Sequence, residues 1–206
     1  MLNRVLTVLA HPDDETLGCG GTIHKFAEKG IEVSCLIPVK RIELQCIEAL
    51  ETLGVSGSHF GSFDDQQLDK YPLLDLAKFV YRGIERFDPD IIITHHHNCT
   101  NQDHRLMHQA VIIATRPQFD KKRIQVFSCE VMSSTGYLRP TGFEPNYYVS
   151  LSEENIKAKM QAIEDYATEL KPTRSPEVLK SLARVRGAES GTEYAEGFML
   201  VRGFDE

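Results

Sequence analysis

Short, continuous apolar runs alternate along this chain with segments of helical periodicity, and that alternation constrains the fold most strongly. Residues 5–10, 33–37 and 91–94 have the unbroken apolar character of strands that are buried on both faces of a sheet. Helical periodicity is clearest at residues 41–53 and 73–87. Repeated βαβ units of this kind predict a three-layer α/β fold, with a mostly parallel sheet and helices on both of its faces.

The remaining elements have less regular boundaries. We expect Pro38 to end the second strand and Asp103 to cap a helix that runs to about residue 115. Ser150 and Glu153 have the spacing of a capping box. The other predicted segments are a helix through 22–27, a short strand at 58–60, a strand at 124–129, an irregular loop at 132–146, a helix at 153–170, a shorter helix to about 186 and a last strand at 197–202.

Length and composition limit the class of protein. The 206 residues predict a single domain, 1–206, and the 23 basic against 30 acidic side chains give a net charge of −7. An acidic chain argues against a nucleic-acid-binding domain, whose binding face would be basic. No apolar run approaches the ~20 residues that span a bilayer, and the first residues carry no signal-peptide pattern. Five cysteines do not suggest a disulfide framework. We therefore expect a cytoplasmic protein.

Imidazoles and carboxylates follow two of the predicted strands. The first strand ends in His11-Pro12-Asp13-Asp14-Glu15, and the fourth leads into a His-rich stretch at residues 94–105. Because ligands bind at the carboxyl ends of parallel strands, both segments are expected at one edge of the sheet. A catalytic zinc site needs about three such ligands and one open position, and of two adjacent aspartates one can bind metal while the other accepts a proton. The competing interpretation is a capped, solvated turn before a helix.

The stretch Ala10-His11-Pro12-Asp13-Asp14-Glu15-Thr16-Leu17-Gly18-Cys19-Gly20-Gly21-Thr22 resembles the signature of the PIG-L / LmbE-like family of zinc-dependent N-acetylglucosaminyl deacetylases. The resemblance continues at residues 53–55, 88–90 and 101–105. It implies a Rossmann-like fold and a hydrolase that removes an N-acetyl group from an amino sugar, in a saccharide, glycoconjugate or nucleotide sugar, by attack of zinc-bound water. A small-molecule N-acetylated sugar is the implied partner.

The resemblance also implies roles for individual residues. His11, Asp14 and His104 would bind the metal, and Asp13 would be the general base. The metal is expected to be Zn²⁺, with Fe²⁺ or another divalent transition metal as the alternative, because imidazoles favour such ions over Mg²⁺. Many relatives have a histidine three residues before the last ligand, where this chain has Asn101.

An asparagine can donate a hydrogen bond to an oxyanion but cannot carry a proton. The general acid is then Asp13 after it has taken a proton, or a histidine, for which His97 is the first choice and His108 the second. Of these two, His108 is expected to be a packed or supporting residue. The glycines at 18, 20 and 21 are expected to let their helix approach the metal-binding loop closely.

Three further residues are predicted to contact substrate. Arg41 follows the second strand, where relatives use an arginine, and Asp65 lies in a loop where relatives hold a sugar hydroxyl. Arg174 lies between Pro172 and Pro176, and this rigid turn could aim it at the pocket. A solvated surface charge is the alternative for both arginines.

Two other functions and the state of assembly remain open. A family member that has lost activity could act as a metal- or sugar-binding protein, and Asn101 is the residue that keeps this alternative. A receiver-like signalling module also has an acidic pair after its first strand, but it needs a phospho-accepting aspartate where this chain has the histidine run. The sequence leaves a homo-oligomer open.

Overall fold

A computed structural model describes residues 2–137 and 142–205 of the chain. One sheet contains its seven strands, which are β1 (Arg4–Val8), β2 (Glu32–Val39), β3 (Gly57–Phe63), β4 (Ile91–His95), β5 (Gln125–Cys129), β6 (Tyr147–Leu151) and β7 (Tyr194–Arg202). The α-helices of the described residues are α1 (Asp14–Glu28), α2 (Glu43–Thr52), α3 (Leu73–Phe87), α4 (Gln102–Ala114), α5 (Glu153–Asp165) and α6 (Pro176–Ser190).

The strand order in the sheet is β3-β2-β1-β4-β5-β7-β6. The first five strands in this order are parallel, while β7 runs antiparallel between β5 and β6. The predicted α/β fold with a mostly parallel sheet is confirmed. Because β1 and β4 are neighbours, their carboxyl ends lie side by side, as the sequence predicts.

Alternation along the buried strands divides the core into two apolar layers. Val5 and Leu9 pack with α1, α2, α5 and α6 on one face, and Leu6 and Val8 pack with α3 and α4 on the other. This period of two follows from the pleat of a strand. Since both faces are covered, the strand that carries the first histidine is rigidly held.

The prediction that Pro38 ends the second strand is wrong. β2 continues to Val39, and the pairing with β3 changes register between Ile37 and Val39. A proline has no N–H to donate, and an irregular point of the ladder tolerates that loss. Gly61 completes the fit, because a Cβ at this position would lie 2.3 Å from the Pro38 carbonyl oxygen.

The last third of the chain also differs from the sequence prediction. The capping box is formed by Ser152 and Asn155, not by Ser150 and Glu153, because β6 extends through Leu151. No strand was predicted there. Part of the predicted loop at 132–146, residues 138–141, lies outside the described residues, and a 3₁₀ turn occupies Thr135–Tyr137. Within the described ranges, no helix is long and apolar enough to cross a membrane.

Helix α1 begins at Asp14, well before the predicted segment, and is interrupted at Cys19. The glycines make room for other segments than the expected metal-binding loop: a Cβ at Gly18 would lie 2.7 Å from Cys129 Sγ at the end of β5. The interruption frees backbone groups that a buried ion pair satisfies. Lys159 Nζ donates to the Leu17 carbonyl at 3.0 Å and lies 2.6 Å from Glu196 Oε1.

Glu196 completes this arrangement from strand β7. Its two carboxylate oxygens accept the backbone N–H groups of Gly21 at 3.0 Å and of Thr22 at 2.7 Å. The Lys159 and Glu196 side chains are 3% and 6% exposed, so little solvent screens the pair. These contacts join helix α1 to helix α5 and strand β7.

We expect Glu196→Gln to lower the free energy of unfolding by about 3 kcal/mol, because it leaves the buried Lys159 ammonium without its partner. Urea denaturation measures the difference. The double variant Lys159→Met/Glu196→Gln is the control and should recover part of the loss. Equal stabilities of the single variant and the native protein would contradict this account.

Candidate active site

Three side chains with metal-binding atoms meet at the carboxyl ends of β1 and β4. His11 and Asp14 come from the turn between β1 and α1, and His104 comes from the first turn of α4. Their ligand atoms all lie within 4.8 Å of one another, and all three residues are buried. Two imidazole nitrogens and one carboxylate oxygen form the donor set of many catalytic zinc sites, so these residues fit Zn²⁺.

The Asp14 carboxylate lies at the centre of the group. Its Oδ2 is 3.1 Å from His11 Nδ1, 3.2 Å from His104 Nε2 and 3.4 Å from His95 Nε2. Burial opposes ionisation of Asp14, but the imidazole of His104 holds its pKa well below the usual value. Asp14 is therefore an anionic side chain that could bind a metal ion.

The Asp14 carboxylate in turn raises the pKa values of His11 and His104. Burial alone would lower the pKa of His11, yet its hydrogen bonds with Asp103 and Asp14 raise it to about 10. For His104, burial is likewise outweighed by Asp14, and the pKa rises to about 9. A cluster that holds positive charge so strongly is suited to a divalent cation.

Two neighbouring side chains contact the rings of His11 and His104 and hold their orientation. Asp103 Oδ2 lies 3.1 Å from His11 Nε2, and its other oxygen accepts the Leu68 N–H. Cys99 Sγ lies 3.2 Å from His104 Nδ1. Such outer contacts orient metal ligands and tune their basicity. The sequence interpretation missed Asp103, although its position beside His104 was a signal, and treated Cys99 as a packing residue.

Asp13 lies outside the group of metal-binding atoms. Its Oδ2 is 2.6 Å from Arg174 Nη1, and its backbone has φ 103°, a left-handed conformation that costs a residue other than glycine roughly 1–3 kcal/mol. Burial, assisted by the Asp14 charge, raises the pKa of Asp13 well above its usual value against the opposing Arg174 charge. The two adjacent aspartates thus have different environments, as they must if one is to bind a metal and the other is to accept a proton.

Asn101, not Asp103, is the residue that caps α4. The Asn101 side-chain oxygen accepts the backbone N–H groups of Asp103 at 2.9 Å and His104 at 3.4 Å. Its Nδ2 donates to Gln66 Oε1 at 3.3 Å, and Gln66 Nε2 in turn lies 3.1 Å from His11 Nε2. Asn101 therefore holds the first turn of α4, and its amide hydrogens lie on the side of His11.

The predicted substrate-binding residues converge on the same edge of the sheet. Asp65 Oδ1 is 3.6 Å from His11 Nε2, and Asp65 Oδ2 is 3.4 Å from Arg41 Nη1. Arg41 also forms an ion pair with Glu169, a residue that the sequence interpretation missed. Arg174 contacts Asp13 and, through Nε, Ser133 Oγ at 3.1 Å.

Among the histidines of the run, His95 rather than His97 contacts the ligands. The His95 ring stacks on the His104 ring with centroids 3.7 Å apart, and its Nε2 accepts the Ala10 N–H. Burial lowers the pKa of His95 to about 3, so it is neutral. His97 is exposed, with the rings of His96 and His108 beside it. His108 is a supporting residue, since its Nδ1 donates to the His95 carbonyl at 2.8 Å.

The family comparison agrees with this geometry. The model of the family described as PIG-L: GlcNAc-PI de-N-acetylase matches residues 6–40 and 35–115, which together make up more than half of the chain. This chain belongs to the PIG-L family. The segments that supply His11, Asp14 and His104 lie within the matched region, and membership places the protein among enzymes that remove N-acetyl groups from amino sugars.

Individual relatives extend the PIG-L likeness beyond residue 115. The diacetylchitobiose deacetylase of Thermococcus kodakarensis is 27% identical over 98% of this chain and 84% of its own length. Among solved structures, the conserved protein TT1542 from Thermus thermophilus is 22% identical with a TM-score of 0.79, covering 100% of this chain and 97% of its own. GalB, the 4-carboxy-2-hydroxymuconate hydratase from Pseudomonas putida KT2440, is 18% identical with a TM-score of 0.78, covering 100% of this chain and 98% of its own. The fold alone therefore does not determine the reaction.

Proposed function

We propose that this protein is a zinc-dependent hydrolase that removes the acetyl group from an N-acetylated amino sugar. The observation that carries the proposal is the difference between two adjacent residues of one short turn: Asp14 lies among the metal-binding histidines, while Asp13 contacts Arg174. A site with a metal and a separate carboxylate suits hydrolysis of an unactivated amide. His11, Asp14 and His104 would hold the metal.

A bound Zn²⁺ would polarise the acetamide carbonyl and lower the pKa of a nearby water to about 7. Asp13 takes a proton from the attacking water as the new C–O bond forms. The same carboxyl then gives this proton to the leaving nitrogen as the C–N bond breaks, and acetate and a free amine result. The raised pKa of Asp13 supports this double role, because a carboxyl that holds a proton can return it.

Asn101 and His95 do not supply the proton in this proposal. The Asn101 amide can donate a hydrogen bond to the oxyanion of the tetrahedral intermediate, as an asparagine does in other hydrolytic sites. His95 accepts the Ala10 N–H and is neutral, so it supports the ligands. The exposed position of His97 argues against the role of general acid that its sequence suggested.

The charged residues at the edge of the site are proposed to bind the sugar. Asp65 and Arg41 form an ion pair between His11 and Glu169. A hydroxyl group of the sugar could replace the contact between Asp65 and Arg41. Arg174 contacts Asp13, so it lies beside the proposed general base. The ligand would be a small N-acetylated saccharide, glycoconjugate or nucleotide sugar.

We further propose one domain, 1–206, that works in the cytoplasm. All five cysteines are buried and unpaired, which is typical of a reducing compartment. This assignment does not depend on the reaction.

The test is release of acetate. The protein is loaded with one equivalent of zinc, freed of excess metal and offered a panel of N-acetylated sugars and nucleotide sugars. We expect acetate and an equal amount of free amine from at least one of them. Zinc binding without acetate release from any member of the panel would favour the alternative of a binding protein.

A further inference from the structure

The left-handed backbone of Asp13 is the reason why two consecutive carboxylates face different partners. Asp13 Oδ2 contacts Arg174, whereas Asp14 Oδ2 contacts the ligand histidines. An aspartate adopts φ 103° only where its surroundings hold it there. The groups that hold this backbone therefore control the position of the proposed general base.

Glu15 is one of these groups. Its Oε2 accepts the backbone N–H of Asp13 at 3.2 Å, and the Asp13 carbonyl accepts the Leu17 N–H at 2.9 Å as α1 begins. Glu15 is fully buried on α1, which packs against α5. A buried carboxylate is favourable only if its oxygens are hydrogen-bonded.

Tyr166 supplies that hydrogen bond from the end of α5. Its hydroxyl donates to Glu15 Oε1 at 2.7 Å, and the Thr16 hydroxyl donates to the same oxygen at 2.8 Å. Tyr166 is itself fully buried, so its ring is fixed by packing. Two hydrogen bonds in series thus connect α5 to the backbone of Asp13.

We propose that Glu15 and Tyr166 are positioning residues for the deacetylation reaction: the Tyr166 hydroxyl holds the Glu15 carboxylate, which holds Asp13 in its left-handed conformation. Neither residue belongs to the His11–Asp14–His104 group. The inference rests on the proposed function for its effect on catalysis, but the hydrogen-bond series itself can be observed without activity.

The experiment uses the full-length, zinc-loaded protein with Tyr166→Phe, which removes one hydroxyl and keeps the packing of the ring. We expect hydrogen exchange of the Asp13 amide, followed by ¹⁵N NMR, to become about fivefold faster. We expect kcat to fall about tenfold, since a small displacement of a catalytic group is costly, with KM and zinc content unchanged. Glu15→Gln should produce the same pattern.

Tyr194→Phe is the matched control. Tyr194 is also fully buried and its hydroxyl is also hydrogen-bonded, to Arg184 at 3.2 Å, but it lies on β7 away from Asp13. It should change neither the Asp13 amide exchange nor kcat. A double variant, Tyr166→Phe/Glu15→Gln, should be no slower than Glu15→Gln alone if the two residues act in series.

The outcomes separate this inference from the proposed function. Unchanged Asp13 exchange in Tyr166→Phe would overturn the inference whatever the activity. Faster exchange with an unchanged kcat would overturn the role in positioning the base, and so would loss of zinc. If the native protein released no acetate, the proposed function would fail, while the exchange measurement would still decide whether Tyr166 holds the Asp13 backbone.

Discussion

Replacement of Asp14 with alanine is expected to abolish zinc binding. The native protein should retain about one equivalent of zinc after dialysis, and Asp14→Ala should bind it at least ~100-fold more weakly, because even outer-contact substitutions cost 10–100-fold. The physical reason is that Asp14 is the only anionic donor in the His11–Asp14–His104 set. Elemental analysis and competition with a zinc chelator measure the effect.

Asp64→Ala is the control for this prediction. Asp64 lies at the same edge of the sheet, but it is exposed and accepts a hydrogen bond from Tyr71 at 2.9 Å. Its zinc content should equal that of the native protein. Zinc retained at native affinity by Asp14→Ala, or absent from the native protein when zinc is offered, would show that this set is not the metal site.

The second large effect is expected from Asp13→Asn. We expect kcat for acetate release to fall by about 10²–10⁴-fold, because an amide cannot accept the proton of the attacking water. Zinc content should stay at about one equivalent, since Asp13 is not among the ligand atoms. Steady-state kinetics and metal analysis on the same preparation separate the two roles.

Asp65→Asn serves as the comparison for Asp13→Asn. It also removes a carboxylate charge near His11, but from a residue proposed to bind substrate, so KM should rise more than kcat falls. Full activity of Asp13→Asn with zinc bound would reject the assignment of the base. Loss of zinc together with activity would instead make Asp13 a ligand.

The parallel part of the fold could be predicted from local patterns, and so could α5, α6 and β7 in outline, whereas β6 could not. The apolar runs that became β1, β2 and β4 are buried on both faces, so burial is visible in the sequence itself. The residues of β6 alternate between buried and exposed positions, and among the described strands this one pairs with β7 alone. A strand at the edge of a sheet has a weaker apolar pattern in the sequence than a central strand.

In the candidate site, too, some features could be predicted from the sequence and others could not. The apolar strands and the resemblance together predicted that His11, Asp14 and His104 would meet. The contact of Arg174 with Asp13 joins residues 161 positions apart, and its geometry is determined by how the segment before α6 packs. The position of His95 beside Asp14 and His104 was not predicted, because the sequence does not show which histidine of a run of three is the last in the strand.

Helix α1 depends on partners that come much later in the chain. Tyr166 lies 151 residues after Glu15, and Glu196 lies 175 residues after Gly21. Because a ribosome releases a chain from its amino end, His11 and Asp14 emerge long before the groups that shape their turn. Helix α1 therefore gains its hydrogen bond from Tyr166 only after α5 has been made, and its contacts with Glu196 only after β7 has been made. The residues that bear the candidate metal-binding atoms of this turn are thus synthesised well before the segments that hold it in place.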